Sequence, residues 1–501
     1  MRDKGRGVNM RKSIIVLIIL CILTGCGKKE QKEITSVWQL DDSHYTIGYG
    51  EGHSAYYAMK EFLPNAKLHS YPDHITGFEA VKTGKIDGYA YERQLMELAM
   101  KEGLSGVHIL KENIGKPIDL AVGISPVTKI PDFENKINTF IAEIRKNGIY
   151  DEMVKRWLNG DIYAEMPEIK KAENPVYHLA VGTTGEIPMF TFYKGTELEG
   201  FDIELAKRFA LWLNADLEFK VYNYGSIIAA ATSGDIDCIM ANLNVTPERL
   251  ESIRFSTTIL SVENTILVKN TDNVALMSGF KDSFLKTFVR ESRWRLIVNG
   301  IGITILISIL SALFGTVLGF GICALRMSRN RLVNAVSLAY IRIMQGTPMV
   351  VLLMIMFYIV FAGSSISGIW VAVIGFGMNF GAYVSEMIRT GILAVDKGQM
   401  EAALALGYTK PHAFMKIVLP QAARHFLPVY QGEFISMVKM TSVVGYIAIQ
   451  DLTKASDIIR SRTFEAFFPL ITTAVIYFII AWLLTRVLTM LQNRLDPRRK
   501  K

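Results

Sequence analysis

The spacing of hydrophobic positions changes character along this chain. Residues 13–23 form one apolar run behind the basic Met10-Arg11-Lys12. That run is short for a membrane span, and its layout is that of a secretion signal. Between residues 34 and 270, short apolar runs alternate with amphipathic stretches of helical period. Strands are expected at 45–49, 67–71, 86–91 and 120–124, with helices from 54 and at 76–83, 93–102, 132–147 and 150–158. A polar linker, 159–175, precedes a second series. It holds strands at 177–182, 217–222 and 236–240 and helices at 201–213, 226–232 and from Thr246-Pro247. Thr246 suits an N-cap and Pro247 the first helical position. The alternation predicts an α/β fold. Beyond residue 295 the apolar runs become long enough to cross a bilayer, and five spans are expected at 296–325, 333–361, 366–387, 428–449 and 467–491.

Composition sharpens this picture. Half of the 501 residues are apolar and the formal net charge is +8. The basic residues cluster beside the long apolar runs: Arg326, Arg329 and Arg331, then Arg494, Arg498, Arg499, Lys500 and Lys501. That placement reads as positive-inside topology rather than as a nucleic-acid surface. The four cysteines, Cys21, Cys26, Cys238 and Cys323, make neither a disulfide framework nor a metal-ligand spacing. No cofactor or metal is expected. The sequence contains no Gly-x-x-x-x-Gly-Lys-Ser/Thr phosphate cradle, so no enzymatic role is expected of this chain.

The polar stretch 398–420 sits between two apolar segments. It carries Glu401-Ala402-Ala403, then Gly407, then Ile417-Val418-Leu419-Pro420. A helix is expected to run to Leu406 and end on a left-handed Gly407, with a second helix, 410–419, closed by Pro420. This pattern resembles the EAA loop of ABC importer permeases. The resemblance implies a helix that docks into a separate cytoplasmic ATPase subunit through Glu401, Ala402, Ala403 and Gly407. It also implies a membrane pore built from two such bundles, most simply a homodimer. Gln345-Gly346-Thr347-Pro348 and Lys439-Met440-Thr441-Ser442 match further permease motifs of the polar amino acid group. Gly315 and Gly319 form a small-xxx-small pair suited to close helix packing. Lys439 is expected inside a span, either functional or paired with Glu433.

The region before the spans resembles the family 3 extracytoplasmic solute-binding proteins, two-lobed clamps for polar amino acids. Gly200-Phe201-Asp202-Ile203-Glu204-Leu205, Ser233-Gly234-Asp235-Ile236-Asp237 and Asn244-Val245-Thr246-Pro247-Glu248-Arg249 carry the resemblance in the second series. Gly84-Lys85-Ile86-Asp87 and Gly148-Ile149-Tyr150-Asp151 with Trp157 carry it in the first. The lobe 2 pattern comes first, so the order is that of a circularly permuted clamp, or of two tandem proteins that each lost a lobe. The resemblance implies that Arg249 binds a ligand carboxylate and Glu92 its ammonium. Asn242, Asn244, Gly52, His53, Ser54 and Thr184 would line the site, and Tyr224 would pack on the ligand side chain. Leu23-Thr24-Gly25-Cys26 resembles a lipobox, which implies acylation of Cys26.

The expectation is therefore an α/β two-lobed periplasmic-binding-protein clamp followed by an all-α type I ABC importer transmembrane domain. Its parts are a signal peptide at 1–25, a tether at 26–35, lobe 2 with the return segment at 36–165, and lobe 1 at 176–270. A linker at 271–293 and a permease domain at 294–492 follow. Such a chain would bind and import polar amino acids at a bacterial inner membrane, with the clamp outside; the alternative is a ligand-gated channel or amino acid receptor using the same clamp.

Overall fold

The structure, a computed structural model, describes residues 33–158, 164–270, 280–362, 364 and 366–495. The expected signal peptide, Cys26, the linker around 271–279 and the last basic residues lie outside the described residues.

The first sheet is built from β1 (Thr46–Gly50), β2 (Lys67–Tyr71), β3 (Gly88–Glu92), β4 (Val107–Ile109) and β5 (Ile114–Leu120). The second takes β6 (Gly123–Ile124), β7 (Tyr177–Thr183), β11 (Ala215–Val221), β12 (Cys238–Ile239) and β13 (Arg254–Phe255). Between β7 and β11 in sequence, β8 (Glu186–Ile187), β9 (Thr191–Lys194) and β10 (Glu197–Glu199) make a small antiparallel sheet. The last strand, β14 (Leu260–Lys269), leaves lobe 1 and inserts into the first sheet, whose order is β2-β1-β3-β14-β4 with β5 also on β14. The second sheet has the order β11-β7-β12-β6-β13. Each sheet is parallel where helices connect its strands and antiparallel where the chain returns.

The chain thus crosses between lobes twice, at Ala121-Val122 and at residues 256–259. The two crossings are bonded to each other, Ser256 N donating to Val122 O (3.0 Å) and Ile259 N to Leu120 O (2.8 Å). The expected block 176–270 is therefore not one spatial unit, because β14 completes the sheet of lobe 2. Both lobes are contributed by one polypeptide.

Lobe 2 carries helices α1 (Ala55–Phe62), α2 (His74–Lys82) and α3 (Arg93–Lys101). The expected return segment forms α4 (Phe133–Lys146) and α5 (Ile149–Trp157), which pack on lobe 1 against α6 (Phe201–Leu213). Phe133 and Phe140 meet the Phe209 ring edge-on and tilted, at 5.6 and 5.3 Å. Trp157 Nε1, Arg156 and Arg208 all donate to the buried Glu204 carboxylate. Removing one partner of such a buried charge typically costs about 3–5 kcal/mol, so the Arg156 and Trp157 contacts fix α5 to α6. The short α7 (Pro247–Leu250) starts at Thr246, whose hydroxyl accepts from Arg249 N.

After residue 280 the described residues form helices joined by short turns. Among the described residues, three helices are long and apolar enough to cross a membrane: α8 (Trp294–Arg326), α11 (Gly368–Leu393) and α15 (Phe467–Leu495). Two bent pairs bring the number to as many as five if each pair is one span. In the first, α9 (Arg331–Gly346) turns by 110° into the helix that begins with α10 (Met349–Ile355). The expected span 333–361 is thus broken in its middle: Pro348 forces Thr347 out of the helical region and cannot continue the bonding pattern. In the second, α13 (Leu419–Met440) leads through a short 3₁₀ turn to α14 (Leu452–Thr463) at 58°. No element was expected at 452–463, between the last two expected spans.

Gly315 and Gly319 on α8 face Gly377, Gly381 and Val384 on α11. A Cβ at Gly315 would come within 2.6 Å of Gly377 O and one at Gly319 within 2.7 Å of Val384. The backbones touch because these positions carry no side chain, which is how helices pack where lipid supplies no hydrophobic drive. Lys439 is exposed near the end of α13, and no ion pair joins it to Glu433 among the described residues.

Candidate ligand-binding cleft and coupling loop

The nine residues expected in the ligand site all lie at the junction of the lobes. Lobe 2 supplies the turn Gly52-His53-Ser54 ahead of α1 and Glu92 at the end of β3. Lobe 1 supplies Thr184 after β7, Tyr224, Asn242 and Asn244 after β12, and Arg249 on α7. Gly52 takes φ +68°, a conformation that costs glycine nothing.

Two charged groups cross the cleft in opposite directions. Arg249, from lobe 1, donates from Nη2 to Gly52 O (3.0 Å) of lobe 2 and to the Tyr224 hydroxyl (3.2 Å), and from Nη1 to Asn244 O (2.7 Å). Its guanidinium also lies over the Tyr224 ring, 5.3 Å from the centroid. Tyr224 therefore supports the arginine. Glu92, from lobe 2, is 1% exposed. Its oxygens accept from Asn242 Nδ2 at 3.0 and 2.9 Å and from Asn244 Nδ2 at 3.4 Å. His53 completes the group. Its Nδ1 accepts from Ala55 N (3.2 Å), and its Nε2 lies 3.5 Å from Glu92.

Several buried polar atoms here have no hydrogen-bond partner: Ser54 Oγ, Thr184 Oγ1, Asn242 Oδ1 and Asn244 Oδ1. An unpaired buried polar atom costs about 1–3 kcal/mol, and a bound polar molecule would recover that. The set suits a zwitterion. A forked cation stands ready for a carboxylate, and a carboxylate flanked by two amide oxygens stands ready for an ammonium, which donates only.

Three residues that the sequence reading left out shape the site. Asp202, in the first turn of α6, accepts from Asn242 N (2.5 Å) and holds that residue at φ +51°. Its burial pushes its pKa up to about 7, against the lowering effect of the Asn242 amide. Tyr91 is stacked between His53 (4.4 Å between centroids) and His74 (5.3 Å). Burial pushes His74 down to about 4, so that ring is neutral near pH 7. The cleft widens into a cavity of about 450 Å³ whose walls include His53, Tyr91, Thr184 and Asn242. The far wall comes from the helical region: Met354, Tyr446, Asp457, Arg460 and Ser461.

At the other end of α11, α12 (Lys397–Ala405) carries the expected coupling residues. Gly407 adopts φ +86°, Tyr408 N donates to Ala403 O (3.1 Å) and Gly407 N to Leu404 O (3.0 Å). These two bonds are the Schellman arrangement that ends a helix. Glu401, Ala402 and Gly407 are exposed, whereas Ala403 is buried. Pro420 does not close the second helix. A π-helical turn, Phe414–Val418, precedes it and places it in the first turn of α13, where a missing N–H is tolerated.

A two-lobed α/β clamp with a zwitterion-shaped cleft, joined to a bundle of membrane-length helices, defines a solute-binding domain fused to a permease. The sequence profile of the "Binding-protein-dependent transport system inner membrane component" family matches residues 311–501, and that of the "Bacterial extracellular solute-binding proteins, family 3" matches 179–404. Only the part of the second match up to Lys269 lies in the α/β clamp. The L-cystine transport system permease protein TcyB of Bacillus subtilis (strain 168) is 37% identical over 210 residues, 42% of this chain and 90% of that protein. The arginine transport system permease protein ArtQ of the same organism is 34% identical over 191 residues, 38% and 87% of the two chains. A crystal structure of an amino acid ABC transporter with histidines shares 33% identity over 44% of this chain and all of its own, with a TM-score of 0.39. The chain belongs to the family of amino acid ABC transport permeases, and it carries the clamp on the same polypeptide.

Proposed function

We propose that this chain is the combined substrate-binding and permease subunit of an ATP-driven importer of polar amino acids. The observation that carries the reading is the opposed Arg249 and Glu92, buried at one cleft that opens onto the permease helices. An amino acid backbone would take the place of the cross-cleft bonds, its carboxylate on Arg249 and its ammonium on Glu92. The relatives' named cargoes, L-cystine and arginine, fit the same backbone recognition. A separate ATPase subunit docks on α12 through Glu401, Ala402 and Gly407, with Ala403 packing the helix in place. The permease halves form a homodimer. The clamp is extracytoplasmic, tethered at a lipidated Cys26 after signal cleavage, and its lobe order reflects circular permutation. The geometry supports these sides: α11 has 26 residues, roughly 39 Å at 1.5 Å per residue, and separates the clamp-facing wall from α12.

The experiment is co-purification of an ABC ATPase subunit with the full chain, followed by uptake of labelled amino acids into proteoliposomes. Glu401→Arg should lose the ATPase while ligand binding stays intact. An ATPase that never associates, or uptake without ATP, would remove the importer reading.

A further inference from the structure

Helix α14 lies across the mouth of the cleft and holds both lobes. Lys454 sits at one end, its side chain 1% exposed. Its Nζ donates to Glu186 Oε1 (2.5 Å), Tyr222 O (3.0 Å) and Asn223 Oδ1 (2.8 Å), all on lobe 1. An ammonium has three protons, so this one is fully used on that lobe. Two turns further along, Arg460 Nη2 donates to Thr76 Oγ1 (3.0 Å), and Nη1 lies 3.8 Å from Asp73, both on lobe 2. Between them Asp457 faces the cavity and bonds Arg460 (3.2 Å). The ring of His74 on lobe 2 meets Phe464, just past the helix, at 6.4 Å.

We propose that α14 is an in-chain docking helix for the clamp, and that it couples cleft opening to the permease half of the same polypeptide. This rests on the clamp reading above. Among the described residues, the chain passes between the lobes at 121–122 and 256–259, and contacts across the cleft add to these crossings. Rotation about the crossings must change the separation of Asp73 and Thr76 from Glu186 and Asn223. One rigid helix cannot keep both sets of contacts through that motion. The two grips are also unequal. Lys454 makes three bonds and is buried, whereas Asp73 is a third exposed and lies at the limit of an ion pair. Lobe 2 is therefore the lobe that lets go, while lobe 1 stays seated. The ligand would then be released facing Asp457 and Ser461.

The test places spin labels at Glu61→Cys on lobe 2 and Glu251→Cys on lobe 1, both exposed, in the full chain in nanodiscs without an ATPase. Arg460→Glu removes the lobe 2 grip and sets like charges against Asp73. It should raise the open-to-closed ratio about tenfold, the size of a contact of about 1.4 kcal/mol. Adding Asp73→Arg should bring the short distance back, which a merely misfolded variant would not do. Co-reconstituting an unlabelled Arg460→Glu chain with a labelled wild-type chain should leave the wild-type distances alone. A shift there would show docking on the neighbouring copy and overturn the in-chain proposal. Unchanged distances in Arg460→Glu, or no recovery on adding Asp73→Arg, would overturn the coupling. No outcome of this distance measurement depends on transport, so it fails or stands apart from the importer reading.

Discussion

Replacing Glu92 by glutamine separates its role in binding from its role in folding. The carboxylate is buried and accepts amide bonds from Asn242 and Asn244 while His53 stands at 3.5 Å. Glutamine keeps the shape but removes the charge, and half of its terminal group becomes a donor facing donors. A hydrogen bond to a charged group is worth about 1.5–3 kcal/mol. At 1.4 kcal/mol per factor of ten, loss of the ammonium contact should weaken an amino acid by about 10- to 150-fold. Stability should fall by about 1–3 kcal/mol, because the new buried amide donor faces the Asn242 and Asn244 donors. The assay is titration calorimetry on the full chain in nanodiscs. It compares an amino acid found to bind with its 2-hydroxy acid analogue, which keeps the carboxylate and loses the ammonium. Glu92→Gln should cost the amino acid most of its affinity and the analogue little, a coupling visible as non-additivity. Equal losses for both ligands, or no loss for the amino acid, would refute the assignment.

Two further outcomes follow from the same geometry. Arg249→Lys keeps a positive charge but not the fork that reaches Asn244 O, Gly52 O and Tyr224 together, so amino acid affinity should fall about 100-fold by calorimetry, and Arg249→Ala should abolish binding. Asp202 carries a pKa raised to about 7 by burial. The folded state then binds a proton that the unfolded state has lost, so stability should fall as pH rises from about 4 to 7; urea midpoints across that range should show a slope that Asp202→Asn flattens.

Much of this protein was readable from local pattern. The switch from short alternating runs to long apolar ones marked where the clamp ends and the membrane helices begin, because span length and strand period depend only on neighbours in sequence. Gly407 was identifiable as a helix end because a Schellman turn needs only its own few residues. Arg249 and Glu92 were found by motif, but what they touch across the cleft was not, since those partners lie 150 to 197 residues away. Asp202 was quoted within a family motif but given no place in the site; only the fold brings Asn242 N onto it. Pro420 was read as a stop, and the π-turn before it, which depends on how the helix packs, made it a beginning. The insertion of β14 into the sheet of lobe 2 and the placing of α14 under both lobes were decided by tertiary structure alone. Hydrophobic period tells a segment which face to bury, but not against which distant partner, and that choice is made only when the whole chain packs.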